Sequence, residues 1–180
     1  FSYYPKGWAD YLTDNNKKLF AGKTQRGFFN GELVNAARTY YLTGAAPGDG
    51  VSIYGNGFRK TTAFHEIGHM VDSFNPNLIR IEKEFIKSRT QGEKVTKLSE
   101  LFPNNNYKAR EVTLKDDFIN PYIGKEYRNA TEVLSIGLES IFEPQNGHMK
   151  RYFGQGDYEM AKITDDKEYL NLIIGIILKG

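Results

Sequence analysis

The sequence predicts an α+β fold in which a small N-terminal sheet packs on one long helix and the C-terminal part is mostly helical. Residues 40–42 and 51–54 are short runs rich in Tyr, Val and Ile, and the loop between them contains Gly and Pro, which is the pattern of two strands. Residues 61–74 contain no helix breaker except one Gly, so they form the long helix. A capping signal at residues 129–132 precedes a strongly apolar helix that closes at Pro144.

The remaining elements follow from periodicity and composition. Apolar residues recur at helical spacing through residues 8–20, which predicts an opening helix that ends near Gly22. Residues 78–89 bear charges of both signs in i,i+4 order, which is typical of a solvated helix. Residues 103–128 contain clusters of Pro and Asn and predict loops and short strands. The apolar residues 172–178 predict a buried terminal helix or strand, and an exposed, sticky interface is the alternative.

Composition limits the possible functions. A length of 180 residues fits one domain, with residues 1–76 as its N-terminal part and residues 77–180 as its C-terminal part. The 24 Lys and Arg residues nearly balance the 22 Asp and Glu residues and form no basic stripe, so neither nucleic acid nor a membrane is an expected partner. Because the chain has no Cys, any metal site must use His, carboxylates and water.

The run His-Glu-Ile-Gly-His at residues 65–69 lies within the long predicted helix. His65 and His69 are one turn apart on the same face, so both imidazoles can reach one metal ion at about 2.0–2.1 Å. Glu66 lies beside the first ligand, where its carboxylate can take a proton from water as a general base. The alternative is a helix with two purely structural histidines.

A catalytic zinc needs a third protein ligand. The chain has no Cys and only one further His, His148. Glu132 is the preferred ligand, because coordination would satisfy a carboxylate at the start of an apolar helix. Two alternatives stay open: Glu132 instead interacts with the helix dipole, or Glu139, two turns along the same face, is the ligand or an outer partner.

The His-Glu-Ile-Gly-His run, followed by Thr-Glu-Val-Leu-Ser at residues 131–135, resembles the pattern of the gluzincins. These are zinc metallopeptidases with a zincin-like fold, in which a second helix donates a Glu as third ligand. The chain departs from the pattern with Thr131 where Asn is usual and Ile136 where an Asp would hold the first His. Asp72, three residues after His69, is the expected substitute for that Asp.

The resemblance implies further features of a peptidase. The strand before the zinc helix, at residues 51–56, would be the edge along which an extended peptide substrate lies. An additional donor would stabilise the oxyanion, and Tyr127, just ahead of the Glu132 helix, is preferred for this role. Tyr122, Tyr107 and His148 are the other candidates.

Residues 121–127 and 131–139 also resemble metallopeptidase-like segments of phage minor head proteins and related bacterial proteins. The chain begins at Phe1 with neither Met nor a signal peptide, which indicates a mature or excised fragment. The sequence leaves the compartment open and slightly favours a secreted or virion-associated protein over a cytoplasmic one. The main hypothesis is a zinc endopeptidase that acts on a protein or peptide substrate. The alternatives are a catalytically silent zinc-binding domain of a phage-type head or surface protein, and an effector or toxin that cleaves a single host protein.

Overall fold

The structure is a computed structural model that describes residues 4–14, 18–20, 28–30, 50–52, 54–55, 57–58, 60–144, 150–154 and 157–180. The helices are α1 (Lys6–Asp14), α2 (Lys60–Phe74), α3 (Pro76–Arg89), α4 (Leu98–Leu101), α5 (Val133–Phe142) and α6 (Lys167–Lys179), with 3-10 helices at Pro121–Gly124 and Ile163–Asp165. The strands are β1 (Lys18–Phe20), β2 (Phe28–Asn30), β3 (Gly50–Ser52), β4 (Tyr54–Gly55), β5 (Gly57–Phe58), β6 (Thr96–Lys97), β7 (Val112–Thr113), β8 (Lys150–Gly154) and β9 (Asp157–Met160). The predicted α+β class is therefore confirmed.

A small N-terminal sheet lies against α2, as the sequence predicts. Its strand order is β1-β3-β2, with β3 parallel to β1 and antiparallel to β2. The sequence predicts that the strand before the zinc helix, at residues 51–56, forms the substrate edge. Strand β3 does not fit this role, because both of its main-chain sides are already paired. Within the described residues strand β4 pairs only with β5, on one side, so for this strand the role stays a prediction. The predicted strand at residues 40–42 lies outside the described residues.

The first helix is shorter than its apolar spacing predicts. It ends at Asp14 rather than near Gly22, and Lys18–Phe20 forms strand β1. The spacing of the apolar residues is compatible with a helix, but pairing with β3 decides the conformation of the last three residues. Trp8 of α1 is buried in the core.

Helices α2 and α5 form the most extensive contact between elements of the fold and place the two halves of the predicted site together. They approach closely at Gly68, where an added Cβ would lie 2.6 Å from the Cα of Ser135. Helix α6 also approaches α5 closely at a glycine. An added Cβ at Gly137 would lie 2.4 Å from Cδ1 of Ile173. The Tyr169 hydroxyl of α6 also donates to the Val133 carbonyl of α5, at 2.6 Å.

Helix α3 is only partly the solvated helix that its charges predict. Arg80 and Glu84 form the expected i,i+4 ion pair at 2.9 Å. Leu78, Glu82 and Phe85 are nevertheless buried, so the helix is amphipathic and the prediction is wrong for Glu82. Residue 82 follows Leu78 by four and precedes Phe85 by three, which places its carboxylate on the core-facing stripe.

The rest of the C-terminal part agrees with its predicted character. The region 103–128 is mostly loop, with strand β7 and one 3-10 helix. Residues 172–178 lie in α6, which buries Ile173 and Ile176 and exposes Ile174 and Leu178. None of the helices in the described part of the chain combines the length and the apolar character that crossing a membrane requires.

Candidate metal centre

Three side chains converge on one point between α2 and α5. His65 Nε2 and His69 Nε2 are 3.1 Å apart, and Glu132 Oε2 lies 3.2 Å from the first and 3.3 Å from the second. Two ligands bound to one tetrahedral zinc at 2.0–2.1 Å are about 3.3 Å apart. The three atoms therefore form a nearly equilateral triangle whose size fits one face of a zinc coordination sphere. This is the potential metal-binding group found among the described residues.

The backbone explains why these three residues meet. The helical turn of α2 places His65 and His69 on one face, and the close approach at Gly68 brings the start of α5 within reach of them. Glu132 immediately precedes the first turn of α5, and its side chain does not cap that helix. The alternative in which Glu132 interacts only with the dipole of its own helix therefore does not describe the structure. Ser135 Oγ donates to Glu132 Oε2 at 3.0 Å and helps to direct this oxygen.

Glu139 contacts the opposite nitrogen of His65. Its Oε1 lies 2.5 Å from His65 Nδ1, and the carboxylate is fully buried on α5. A carboxylate can only accept, so this contact favours a proton on Nδ1. Nε2 is then the nitrogen that faces Glu132, and it can bind a metal ion once it gives up its own proton. The structure thus separates the two carboxylates that the sequence left open: Glu132 completes the triangle, and Glu139 orients its first histidine.

Asp72, which the sequence suggested as the partner of His65, does not occupy that position. Within the described part of the chain, both of its carboxylate oxygens are buried without a hydrogen-bond partner, and its carboxyl group faces that of Glu82 on α3. The residue lies one turn beyond His69 on α2, and the direction of its side chain is set by the packing of α3. Glu139 takes its place because α5 crosses α2 beside His65.

The electrostatics of the site favour a bound cation. Burial alone would lower the pKa of His65, but hydrogen bonds with Glu132 and Glu139 raise it well above its ordinary value. Burial alone would raise the pKa of Glu132, but the two imidazoles hold it well below its usual range. Two buried carboxylates thus concentrate negative charge around the two imidazoles. A divalent cation would offset this charge.

The two residues predicted to act in catalysis lie close to this triangle. Glu66 is next to His65 on α2 and only 7% exposed. Tyr127 donates its hydroxyl proton to Glu132 Oε1, at 2.5 Å. Its role as an oxyanion donor stays a prediction, because here its proton is directed at the carboxylate. The other candidate donors are Tyr122, whose hydroxyl is 3.4 Å from that of Tyr127, and Tyr107, whose ring packs on Tyr122. His148 lies outside the described residues.

Asp72 and Glu82 form a buried carboxyl pair near the site that no pattern in the sequence indicated. Glu82 accepts from Thr131 Oγ1 at 2.6 Å, and hydrogen bonding with Thr131 and the Leu134 amide favours its charged form. Burial raises the pKa of Glu82 to about 7, although these hydrogen bonds oppose the shift. Burial and the charge of Glu82 also raise the pKa of Asp72 well above its ordinary value. Two facing carboxyl groups in this environment are expected to share a proton.

We expect Glu82→Gln to flatten the dependence of stability on pH. Because the pKa of Glu82 is raised in the folded state, its protonated carboxyl contributes to the stability of the fold below pH about 4.5. This contribution to the free energy of unfolding is lost as the pH rises through about 7. A rise from 4.5 to about 7 corresponds to about 3 kcal/mol. Glutamine can still accept from Thr131, and its amide can donate to Asp72, so the variant should not lose this contribution. As the pH rises from 4.5 to 8, its free energy of unfolding should therefore increase by about 3 kcal/mol relative to that of the unmodified chain.

The measurement is urea unfolding in EDTA at a series of pH values. The difference between the two proteins isolates the carboxyl pair from the other titrating groups. Glu84→Gln is the matched control, because Glu84 lies on the same helix and is 64% exposed, and its curve should parallel that of the unmodified chain. Parallel curves for Glu82→Gln as well would show that Asp72 and Glu82 do not share a proton.

The comparisons with known proteins identified no relative of this chain. A scan of family models, a search of curated proteins and a search of solved structures each found no match to this chain. The function proposed below therefore rests on the residues and on the geometry of the site.

Proposed function

We propose that this chain is a zinc-dependent endopeptidase of the gluzincin type with a zincin-like fold. His65, His69 and Glu132 hold the ion, and Glu66 is the general base. The supporting observation is the triangle of two imidazole nitrogens and one carboxylate oxygen with sides of 3.1, 3.2 and 3.3 Å. Three protein ligands leave a fourth position for water or substrate, which is the arrangement of catalytic rather than structural zinc sites.

A zinc ion held by His65, His69 and Glu132 would supply Lewis acidity toward the peptide carbonyl and would lower the pKa of water toward about 7. The chain's own residues supply the rest. Glu66 accepts a proton from the attacking water and returns it to the leaving amine. Glu139 keeps the His65 ring in the tautomer that presents Nε2 to the ion. The substrate is a protein or peptide chain.

A catalytically silent zinc-binding domain of a phage-type head or surface protein is the second candidate. The exposed side of α6 favours it, because Ile174 is 41% exposed and Leu178 is 79% exposed, as in helices that pack on a neighbouring subunit. In this case the same three ligands stabilise the fold, and Glu66 has no chemical role. An effector that cleaves a single host protein shares the chemistry of the first candidate and differs only in specificity.

The variant Glu66→Gln separates these functions. It preserves the size of the side chain and removes its basicity, so the endopeptidase should keep about one zinc per chain while cleavage falls by about 10²–10⁴-fold. Zinc is measured by inductively coupled plasma mass spectrometry and cleavage with casein and a quenched peptide library. The exposed Glu126→Gln is the control and should be unchanged in both measurements.

Each outcome selects one candidate. Zinc in both proteins without cleavage of casein, library peptides or any candidate partner contradicts the enzyme and favours the silent domain. Cleavage of one partner protein but not of casein indicates the effector. Equal cleavage by Glu66→Gln and the unmodified chain removes Glu66 from the mechanism.

A further inference from the structure

Lys125 is a buried cation beside the metal centre that the mechanism above does not use. Its side chain is 7% exposed, although lysine is almost never buried unless it is paired. The ammonium forms an ion pair with Glu111 at 3.0 Å and donates to Tyr122 Oη at 2.9 Å. It also lies over the rings of Tyr107, Tyr122 and Tyr127, at 5.7, 4.7 and 4.6 Å from their centroids. Three aromatic faces and one carboxylate thus hold this ammonium in place.

The hydrogen bonds from Lys125 run in one direction and end at the third metal ligand. Tyr127 donates its only hydroxyl proton to Glu132 Oε1, so it can only accept from Tyr122. Tyr122 in turn accepts from the ammonium, which leaves its own proton for Tyr127. The link between the two hydroxyls is the longest, at 3.4 Å. The ammonium above the Tyr127 ring provides a second, direct contact with the same side chain.

This chain of contacts determines how the Glu132 carboxylate is turned. Oε1 accepts from Tyr127, and Oε2, which also accepts from Ser135, faces the two imidazole nitrogens. A carboxylate that is held in this orientation before an ion binds loses less conformational freedom on binding. The Glu111 carboxylate neutralises the charge of Lys125, so the effect of the lysine on the site is on geometry rather than on net charge.

We propose that Lys125 is a positioning residue of the metal site, which acts through Tyr122 and Tyr127 to orient Glu132 and thereby sets the affinity for zinc. The inference rests on the proposed function, because it requires that the three ligands bind an ion. It goes beyond that function by assigning a role to a residue that touches neither metal nor substrate.

The test is the zinc dissociation constant of the full chain, measured by competition with a chromophoric chelator. Lys125→Met should weaken zinc binding by about 10–100-fold, which is the usual cost of losing an outer partner of a metal ligand. Lys125→Arg can still donate to Tyr122 and pair with Glu111, and should recover most of the affinity. Lys83→Met is the matched control, because Lys83 donates to the Arg128 carbonyl and should leave the constant unchanged.

A double-mutant cycle distinguishes positioning from general destabilisation. If Lys125 acts through Tyr127, then Lys125→Met combined with Tyr127→Phe should bind zinc no more weakly than Tyr127→Phe alone. The visible spectrum of the cobalt-substituted protein should change in the same variants, because the geometry of the carboxylate ligand changes. Tyr122→Phe deletes only one hydroxyl and should reproduce the loss of affinity, even if Lys125→Met fails to fold.

The outcomes distinguish this inference from the proposed function. An unmodified chain that binds no zinc overturns both. Zinc binding by the unmodified chain, with unchanged dissociation constants for Lys125→Met or Tyr122→Phe, overturns only the role of Lys125. Losses that multiply in the double variant also overturn it, because they show that the lysine does not act through Tyr127.

Discussion

Glu132→Gln is expected to weaken zinc binding by about 10²–10³-fold. Among the described residues, Glu132 Oε2 is the carboxylate oxygen that lies within 3.3 Å of Nε2 of both histidines. A neutral amide oxygen is a much weaker zinc ligand than a carboxylate. If about 10–16 kcal/mol of binding free energy is divided among four ligands, the loss of one weakens binding by about 10²–10³-fold. Zinc per chain after dialysis, together with chelator competition, measures the effect.

Glu139→Gln is the matched comparison on the same helix face. Its amide oxygen can still accept from His65 Nδ1, so we expect zinc to remain bound with an affinity about 10-fold weaker. Equal losses in the two variants would contradict the assignment of Glu132 as the ligand and Glu139 as the orienting residue. An unchanged zinc dissociation constant in Glu132→Gln would show that another group completes the site.

Gly68→Ala is expected to destabilise the fold by about 3 kcal/mol and to disrupt the metal site at the same time. The added Cβ would lie 2.6 Å from the Cα and 2.9 Å from the amide nitrogen of Ser135. These are backbone atoms of the α5 region, so the conflict is relieved only if the two helices move apart. Such a movement would carry Glu132 away from His65 and His69.

The measurements are urea unfolding in EDTA and zinc content in its absence. Gly175→Ala is the control, because Gly175 also lies in a helix, but an added Cβ there would have no atom of the described residues within 4 Å. It should stabilise the chain by about 0.5–1 kcal/mol through helix propensity alone. If Gly68→Ala behaved like Gly175→Ala and kept its zinc, the close approach of α2 and α5 would not be what assembles the site.

Local features of the sequence are enough to predict half of the site. The helix that contains His65 and His69 is an uninterrupted run, and its 3.6-residue period alone places both rings on one face. The apolar helix after Glu132 is predicted in the same way, from a capping signal and from composition. These predictions succeed because helical structure depends on residues that are close in sequence.

Other features depend on contacts between distant segments, and local patterns predict them poorly. Strand β3 is central because β1 and β2 pair with both of its sides, which no pattern within residues 50–52 reveals. Glu82 lies in a run of charged residues, and its burial results from the packing of α3 against the start of α5. The burial of Lys125 likewise requires three tyrosines that come together only in the folded chain.

The sequence by itself determined the helical histidine pair and the adjacent Glu66. Because the chain has no Cys, it also limited the possible metal ligands to His, carboxylates and water. Only the tertiary structure decided which acidic residue completes the triangle. Glu132 and Glu139 are two turns apart on one helix face, so helical spacing alone does not distinguish which of them reaches the two histidines. The crossing of α2 and α5 at Gly68 separates them, because it directs Glu132 to the Nε2 side of His65 and Glu139 to the Nδ1 side.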